Sequence, residues 1–295
     1  MTLTGPSAGA EFRRRIREKR LLPLIGVYDV FSAKIAAERF EGVFCSGYSF
    51  AASAYGLPDV GYVTWRDMAD FATKIRHAIP TTQILVDVDD GFGDEVVASN
   101  TIRILESNGL SAVMMEDQKR PRRCGHFEGK EILPMEEYLT KLRKVLETRQ
   151  SIFVIARTDA TDAAEGIDRV VSYAEAGADG VMVEAIRDLK TISKLRSLVS
   201  VPIMVNQLHG GKSPNWPFDE LEEAGASIVI CSSPCLFAAQ YGIERYLDMM
   251  LEKNCLPSEN TTSMDDCWRV LNGNSVHGRS EHYAARYGRS GTKNR

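Results

Sequence analysis

Short apolar runs that finish on carboxylates recur along this chain, and they constrain its architecture more than any other feature. Four of them read Gln83-Ile-Leu-Val-Asp-Val-Asp89, Ala112-Val-Met-Met-Glu-Asp117, Phe153-Val-Ile-Ala-Arg-Thr-Asp159 and Gly180-Val-Met-Val-Glu184. Eight apolar runs can be laid out in order, at 22–29, 42–47, 84–89, 112–117, 153–159, 180–184, 202–207 and 227–233. Most are short and rich in Val and Ile, as strands buried on both faces of a parallel sheet must be. Amphipathic stretches at 31–40, 64–79, 95–107, 135–148, 167–176, 189–199, 218–224 and 236–253 predict helices between them. Gly42, Gly109, Gly177 and Gly225 stand just before strands, where a left-handed helix C-cap is expected. The repeated unit predicts an α/β fold, a (β/α)8 TIM-type barrel whose chemistry lies on the C-terminal rim. A doubly wound sheet would need a Gly-rich phosphate turn after its first strand, and Asp29-Val-Phe-Ser offers none.

The 295 residues suit one barrel of about 250 residues with an extension. We expect the barrel over 1–253 and a C-terminal extension over 254–295, helical near 265–271 and disordered in its last ten or so residues. A net charge of -4 leaves no basic footprint for nucleic acid. No apolar run approaches the roughly 18 residues of a membrane span. The basic start, Arg13 to Arg20, is not followed by the apolar segment of a secretory signal, and Glu11 and Glu18 argue against an organelle transit peptide. Six cysteines in a chain this long do not form a disulfide framework. They read as thiols of a cytoplasmic or organelle-matrix protein.

Two long connections, residues 48–63 and the basic 118–133, interrupt the rhythm on the same rim, where long loops are usually functional. Period two places Asp87 and Asp89 on one face at a strand end, and Glu116 converges on them from the next strand. Buried like charges need a counter-ion, and hard oxygen ligands favour Mg2+, with Mn2+ as an alternative. The competing reading is that these acids cap a helix or pair with arginine. Arg157 can clamp a carboxylate or phosphonate bidentately, or else close an internal ion pair with Asp159 or Glu184. Ser46-Gly47 offers a hydroxyl and backbone N–H groups to an anion. Cys124 lies among cations in Arg122-Arg-Cys-Gly-His126, which lowers a thiol's pKa and makes it an available acid or nucleophile. His126 orients that thiol or holds the loop. His209 is either a rim residue or a solvated turn histidine, and the spacing Cys231-x-x-x-Cys235 reads as packing.

Together these residues resemble the isocitrate lyase / phosphoenolpyruvate mutase superfamily. The matching pieces are Ser46-Gly47, Tyr55-Gly-Leu-Pro-Asp59, Asp87-x-Asp-x-Gly-Phe-Gly93, Glu116-Asp-Gln118, Arg123-Cys-Gly-His126, Ala156-Arg-Thr-Asp-Ala160 and Glu184-Ala185, in the family's order over residues 20–250. The resemblance implies a metal at Asp87, Asp89 and Glu116. It implies that Ser46, Gly47 and Arg157 hold a substrate carboxylate, that Asn206 binds the other end, and that Cys124 is a gating-loop acid. Tyr48, Asp59, Arg123, Gly125, Glu184 and His209 complete the expected substrate shell, and a homotetramer with an exchanged C-terminal helix is implied. Cys-Gly-His groups the chain with methylisocitrate lyase, dimethylmalate lyase, oxaloacetate hydrolase and carboxyphosphonoenolpyruvate phosphonomutase. Departures from that pattern are Phe44 where bacterial methylisocitrate lyases carry Tyr, His209 where Glu is common, Arg122 where Lys is usual, and Asp90 where Thr or Ile is frequent. Tyr48 is a candidate stand-in for the missing phenol.

The expected activity is a Mg-dependent carbon–carbon cleavage of a 2-hydroxy di- or tricarboxylate to a 2-oxo acid such as pyruvate, through an enolate that Cys124 protonates. The alternatives are phosphonomutase chemistry, served by His209 and Lys212, oxaloacetate hydrolysis, and a barrel retained as a scaffold without activity.

Overall fold

The computed structural model describes residues 6–272. In chain order the elements are α1 (Ala8–Glu18), β1 (Leu22–Val27), α2 (Val30–Ala37), β2 (Gly42–Cys45), α3 (Gly47–Phe50), α4 (Trp65–Ala78), β3 (Gln83–Asp87), α5 (Glu95–Ser107), β4 (Ala112–Glu116) and α6 (Met135–Thr148). They continue with β5 (Phe153–Thr158), α7 (Ala163–Glu175), β6 (Gly180–Val183), α8 (Leu189–Leu198), β7 (Met204–Gln207), α9 (Phe218–Glu223), β8 (Ile228–Cys231), α10 (Pro234–Lys253) and α11 (Met264–Val270). All eight expected strands form. They pair in parallel in the order β6-β5-β4-β3-β2-β1-β8-β7. A bridge between Val181 and Ile203 joins the two ends. The sheet is thereby closed into a (β/α)8 barrel with its helices outside.

Strand periodicity divides the buried side chains into two cores. Val43, Val86, Val113, Val154, Val181 and Val229 face outward into the layer beneath the helices. Leu24, Phe44, Leu85, Met114, Ile155, Met182, Met204 and Ile230 face inward and fill the barrel axis. Stepping two residues further along each strand reaches its C-terminal end, so Ser46, Asp87, Glu116, Arg157, Glu184, Asn206 and Ser232 form the next inward layer. The register pairs Glu116 directly with Arg157. The functional rim is therefore the top layer of the barrel interior.

The other end of the barrel is covered by α1, which the basic opening of the chain concealed. Phe12 and Ile16, one helical turn apart, belong to the inner core, and Phe12 meets Phe153 edge-on with ring centroids 5.2 Å apart. The arginines around them face outward. Arg13 pairs with Asp179 at 2.8 Å, and Arg14 and Arg15 pair with Glu11 within the helix.

Gly109, Gly177 and Gly225 have φ of 79°, 101° and 100°, the left-handed caps expected of them. Gly42 does not. It is the first residue of β2, and a Cβ there would run into the Leu24 side chain, so packing rather than helix capping requires glycine. Two compact units divide the chain at Ala238/Ala239, inside α10 and earlier than the boundary expected at 253. In the second unit, α11 is the helix expected near 265–271, capped by Ser263 and Asp266, and the Tyr246 hydroxyl donates to the Pro257 carbonyl at 2.6 Å. The disorder expected of the last residues lies outside the described residues. Among the described residues no helix is long and apolar enough to cross a membrane, and all six cysteines are free.

Candidate active site

A cavity of about 710 Å³ opens at the C-terminal rim, lined among others by Ser46, Tyr48, Asp59, Asp87, Arg122, Cys124, Gly125, His126, Arg157, Glu184, Asn206 and His209. Its acidic floor is built by β3 and β4. Asp87 ends β3, but Asp89 does not continue the strand: its φ is 47°, in the left-handed region. The two carboxylates still converge, because the turn brings both back beneath Gly47, whose amide donates to Asp87 Oδ2 at 3.4 Å. Asp90 faces away and is gripped by Arg120 through two hydrogen bonds of 2.8 and 2.6 Å.

Glu116 does not join them as a free third ligand. Arg122 Nε donates to its Oε1 at 2.8 Å, Arg157 Nη2 stands 3.3 Å from Oε2, and Arg122 Nη1 also pairs with Asp59 and lies 3.4 Å from Asp89. Among the described residues no three His, Cys, Asp or Glu side chains stand together in metal-ligand geometry. The expected carboxylate triad is therefore partly neutralised by a guanidinium, because Arg122 reaches inside from the lid. Asp87 alone of the three has no ion-pair partner among the described residues. Burial raises the pKa of Asp87, Asp89 and Glu116, against the opposing pull of Arg122.

Arg157 is pinned on three sides. Its Nη2 reaches Asp159 Oδ1 at 3.0 Å, Glu184 Oε2 at 3.2 Å and Glu116 Oε2 at 3.3 Å. Its Nε lies 2.8 Å from Asp159 Oδ2 as an ion pair too bent for a hydrogen bond. The internal pairing considered from sequence is thus present. Nη1 is left without a protein partner among the described residues, on a residue that lines the cavity. Lys130, not singled out by sequence, donates to Asp159 Oδ1 at 2.9 Å and to the Gly125 carbonyl at 2.6 Å. It joins the lid to the strand end that holds Arg157. Asn206 donates to Glu184 Oε1 at 3.2 Å and accepts from Ser232 Oγ at 2.6 Å.

The lid, residues 118–133, lies down on these groups. Gly125 sits so close to Arg157, Glu184 and Asp159 that a Cβ would collide with all of them. His126 Nδ1 accepts from the Lys212 amide at 3.0 Å, which assigns the ring proton to Nε2, 3.4 Å from Glu184 Oε1. Burial lowers its pKa, so the ring is a neutral strut between lid and β7 loop rather than a partner of the thiol. Cys124 departs from expectation. Burial raises its thiol to about 11, outweighing the lowering by the His126 backbone amide and Arg157. The thiol stays protonated, which suits an acid and not a thiolate nucleophile.

Arg123 is a correction. It is exposed and does not line the cavity; its guanidinium turns to the Glu128 carbonyl, while Gln118 holds its backbone. Arg122, read from sequence as a cation beside Cys124 and as standing where Lys is usual, takes the inner place. Ser46 caps α3 and faces the cavity, Tyr48 meets Phe237 edge-on at 6.3 Å, and His209 is exposed at the mouth. Leu57, within the Tyr55–Asp59 piece, lines the cavity too, as do Ser232, Ser233 and Phe237, which carried no motif in the sequence.

Residues 12–251 match the family described as phosphoenolpyruvate phosphomutase. The chain is 35% identical over 246 residues to 2-methylisocitrate lyase of Bacillus subtilis, covering 82% of this chain and 81% of that one. It is 33% identical over 261 residues to the chloroplastic carboxyvinyl-carboxyphosphonate phosphorylmutase of Arabidopsis thaliana, covering 85% and 77%. Its fold superposes on the crystal structure of 2,3-dimethylmalate lyase, a PEP mutase/isocitrate lyase superfamily member, with a TM-score of 0.89 and 25% identity over 98% of this chain and 100% of that one. With the barrel formed as the sequence led us to expect, the protein belongs to the phosphoenolpyruvate phosphomutase family and is an enzyme of the PEP mutase/isocitrate lyase superfamily.

Proposed function

We propose that this enzyme is a Mg2+-dependent carbon–carbon lyase acting on a 2-hydroxy dicarboxylate or tricarboxylate. One observation carries the reading: the half-buried Cys124 thiol of the lid lines the same cavity as Arg157 and the buried carboxylate of Asp87. The donor set fits a divalent ion. Asp87 is buried, unpaired and open to the cavity, and the carboxylates of Asp59, Asp87, Asp89, Glu116, Asp159 and Glu184 outnumber the facing cations Arg122, Arg157 and Lys130. Asp87 would hold the ion, with Asp89 and Glu116 behind it. When bound, the ion supplies electrostatic stabilisation of negative charge developing on a substrate oxygen.

The chain's own groups do the rest. Arg157, through its unpartnered Nη1, holds the substrate carboxylate, with Ser46 beside it. Loss of the hydroxyl proton to a carboxylate of the cavity wall breaks the adjacent carbon–carbon bond and leaves a 2-oxo acid and an enolate. Cys124 gives its proton to the enolate carbon. Gly125 and His126 seat the lid so that water is excluded meanwhile. The test is release of 2-oxo acids from a panel of 2-hydroxy acids with Mg2+ added and withheld; no release from any member overturns the reading.

A second reading, phosphorus–carbon chemistry, draws support from His209 and Lys212 at the cavity mouth, whose N–H groups could meet the oxygens of a phosphoryl group. Phosphorus NMR on phosphonate substrates separates it from the first. For the assembly we propose the tetramer with exchanged C-terminal helices. Leu251, Leu256 and Met264 of the second unit are 82%, 75% and 83% exposed, apolar surface that such an exchange would cover. Light scattering on the purified protein tests it.

A further inference from the structure

Glu116 and Asp117 follow one another at the end of β4 and, by the strand period, point opposite ways. Glu116 meets the floor of the site, whereas Asp117 turns outward toward α7 and is 0% exposed. A carboxylate buried away from both water and the cavity is costly unless donors surround it, and here they do. Its Oδ2 accepts from Thr158 Oγ1 at 2.6 Å, from the Tyr173 hydroxyl at 2.7 Å and from Arg169 Nη1 at 3.2 Å, and its Oδ1 accepts from the Asp159 amide at 2.9 Å. Neither Asp117, Thr158, Arg169 nor Tyr173 lines the cavity, so substrate contact does not explain them.

The backbone around Asp117 shows what they hold. Its amide donates to the Arg157 carbonyl at 3.1 Å, and its carbonyl accepts from the Leu133 amide at 2.8 Å. Beyond it, Gln118 and Ile132 form an antiparallel bridge, and the Lys119 amide donates to the Glu131 carbonyl at 2.8 Å. The two ends of the lid are thus stitched into a short stem. Arg169 Nη1 reaches over that stem to the Leu133 carbonyl at 3.0 Å. The Gln118 side chain leaves it in the other direction and grips the backbone of Arg123, next to Cys124, at 2.9 and 2.8 Å.

We propose that Asp117 and Arg169 are positioning residues that join the stem of the lid to the strand end carrying Arg157 and Asp159. Through them the seat of Cys124 and the seat of Arg157 are set together, and loosening the joint lets the lid lift.

The test follows N-ethylmaleimide labelling of the folded wild-type and variant proteins, resolved by peptide mass spectrometry. Cys124 reports on the lid, and Cys45, fully buried in the barrel wall, reports on global opening. Arg169→Met should speed labelling of Cys124 about tenfold or more with Cys45 unchanged, and Arg169→Lys should recover part of the protection. Tyr173→Phe keeps the ring and removes one donor from Asp117, so it carries the test if the methionine variant does not fold. It should speed Cys124 labelling about two- to tenfold. Cys124 labelling at the wild-type rate in the folded variants overturns the proposal. A parallel rise at Cys124 and Cys45 overturns it too, since the network would then support only the fold. No substrate enters this measurement, so its failure leaves the lyase reading standing, and a failure to release any 2-oxo acid leaves the joint standing.

Discussion

Arg122 Nε donates to Glu116 Oε1 across 2.8 Å, and the two side chains are 3% and 1% exposed. A lid residue thus neutralises the acidic floor from inside the barrel. Removing one partner of such a buried pair costs about 3–5 kcal/mol, because the other charge is left unpaired. Arg122→Met should lose that much in urea unfolding with chelator present. Mg2+ or Mn2+ should restore more stability to the variant than it gives the wild type, about 2.7 kcal/mol or above at a hundredfold excess over Kd. Equal gains in both proteins would mean that a divalent ion does not reach these acids.

Cys124 makes a pH prediction with a definite sign. Burial places its thiol at about 11, so the proton-donating form persists through neutral pH and is lost only as pH rises toward that value. The turnover rate should therefore hold on the alkaline side to near pH 11 and then fall tenfold per unit. Cys124→Ser should lower it about 100- to 10,000-fold while pyruvate binding stays within a few-fold. A wild-type rate retained by the serine variant would remove the thiol from the reaction.

Gly125 has no room for a methyl group. Gly125→Ala would push against Arg157, Glu184 and Asp159, costing about 1–3 kcal/mol if the lid stays down. Opening the lid relieves that strain. We expect a fall of tenfold or more in kcat with little change in global unfolding, read by comparing steady-state rates with thermal denaturation.

Lys130 reaches Arg157 through Asp159, so on the proposed reading it positions the residue that holds substrate. Lys130→Met removes the bond from lid to strand β5 and frees Asp159 to draw Arg157 away from the cavity. KM should rise about tenfold or more, and Lys130→Arg should recover part of it. An unchanged KM with a lower melting point would mark the residue as purely structural.

Glu106, far from the rim, reports on the fold. Burial raises its pKa, but the backbone N–H groups of Gln150, Ser151 and Ile152 lower it further, so the net shift is downward. A depressed carboxylate contributes stability above its unfolded pKa and loses it as pH falls. Glu106→Gln should cost about 1 kcal/mol at pH 7, discounted for solvent screening, and progressively less as pH drops below about 4. A pH-independent difference would show that packing dominates there.

The barrel was legible because strand burial and helix amphipathicity are local and periodic. Phe153, Ile155 and Arg157 fall on one face by counting alone. Lys130 and Arg122 were not readable, since each reaches its partners only once the lid folds back across the rim. Asp89 misled for a different reason: a left-handed residue, not the strand period, points it inward. The thiol of Cys124 was misjudged because sequence shows neighbouring charges and hides burial, which here is the larger effect. α1 was missed because its two core residues stand among five arginines and a lysine.

That helix also governs traffic. With the barrel axis filled by inward side chains and Phe12 and Ile16 packed beneath them, the pocket is a cul-de-sac. Whatever enters past residues 118–133 must leave by the same doorway. For a lyase of the proposed kind, both products would have to leave through that one opening.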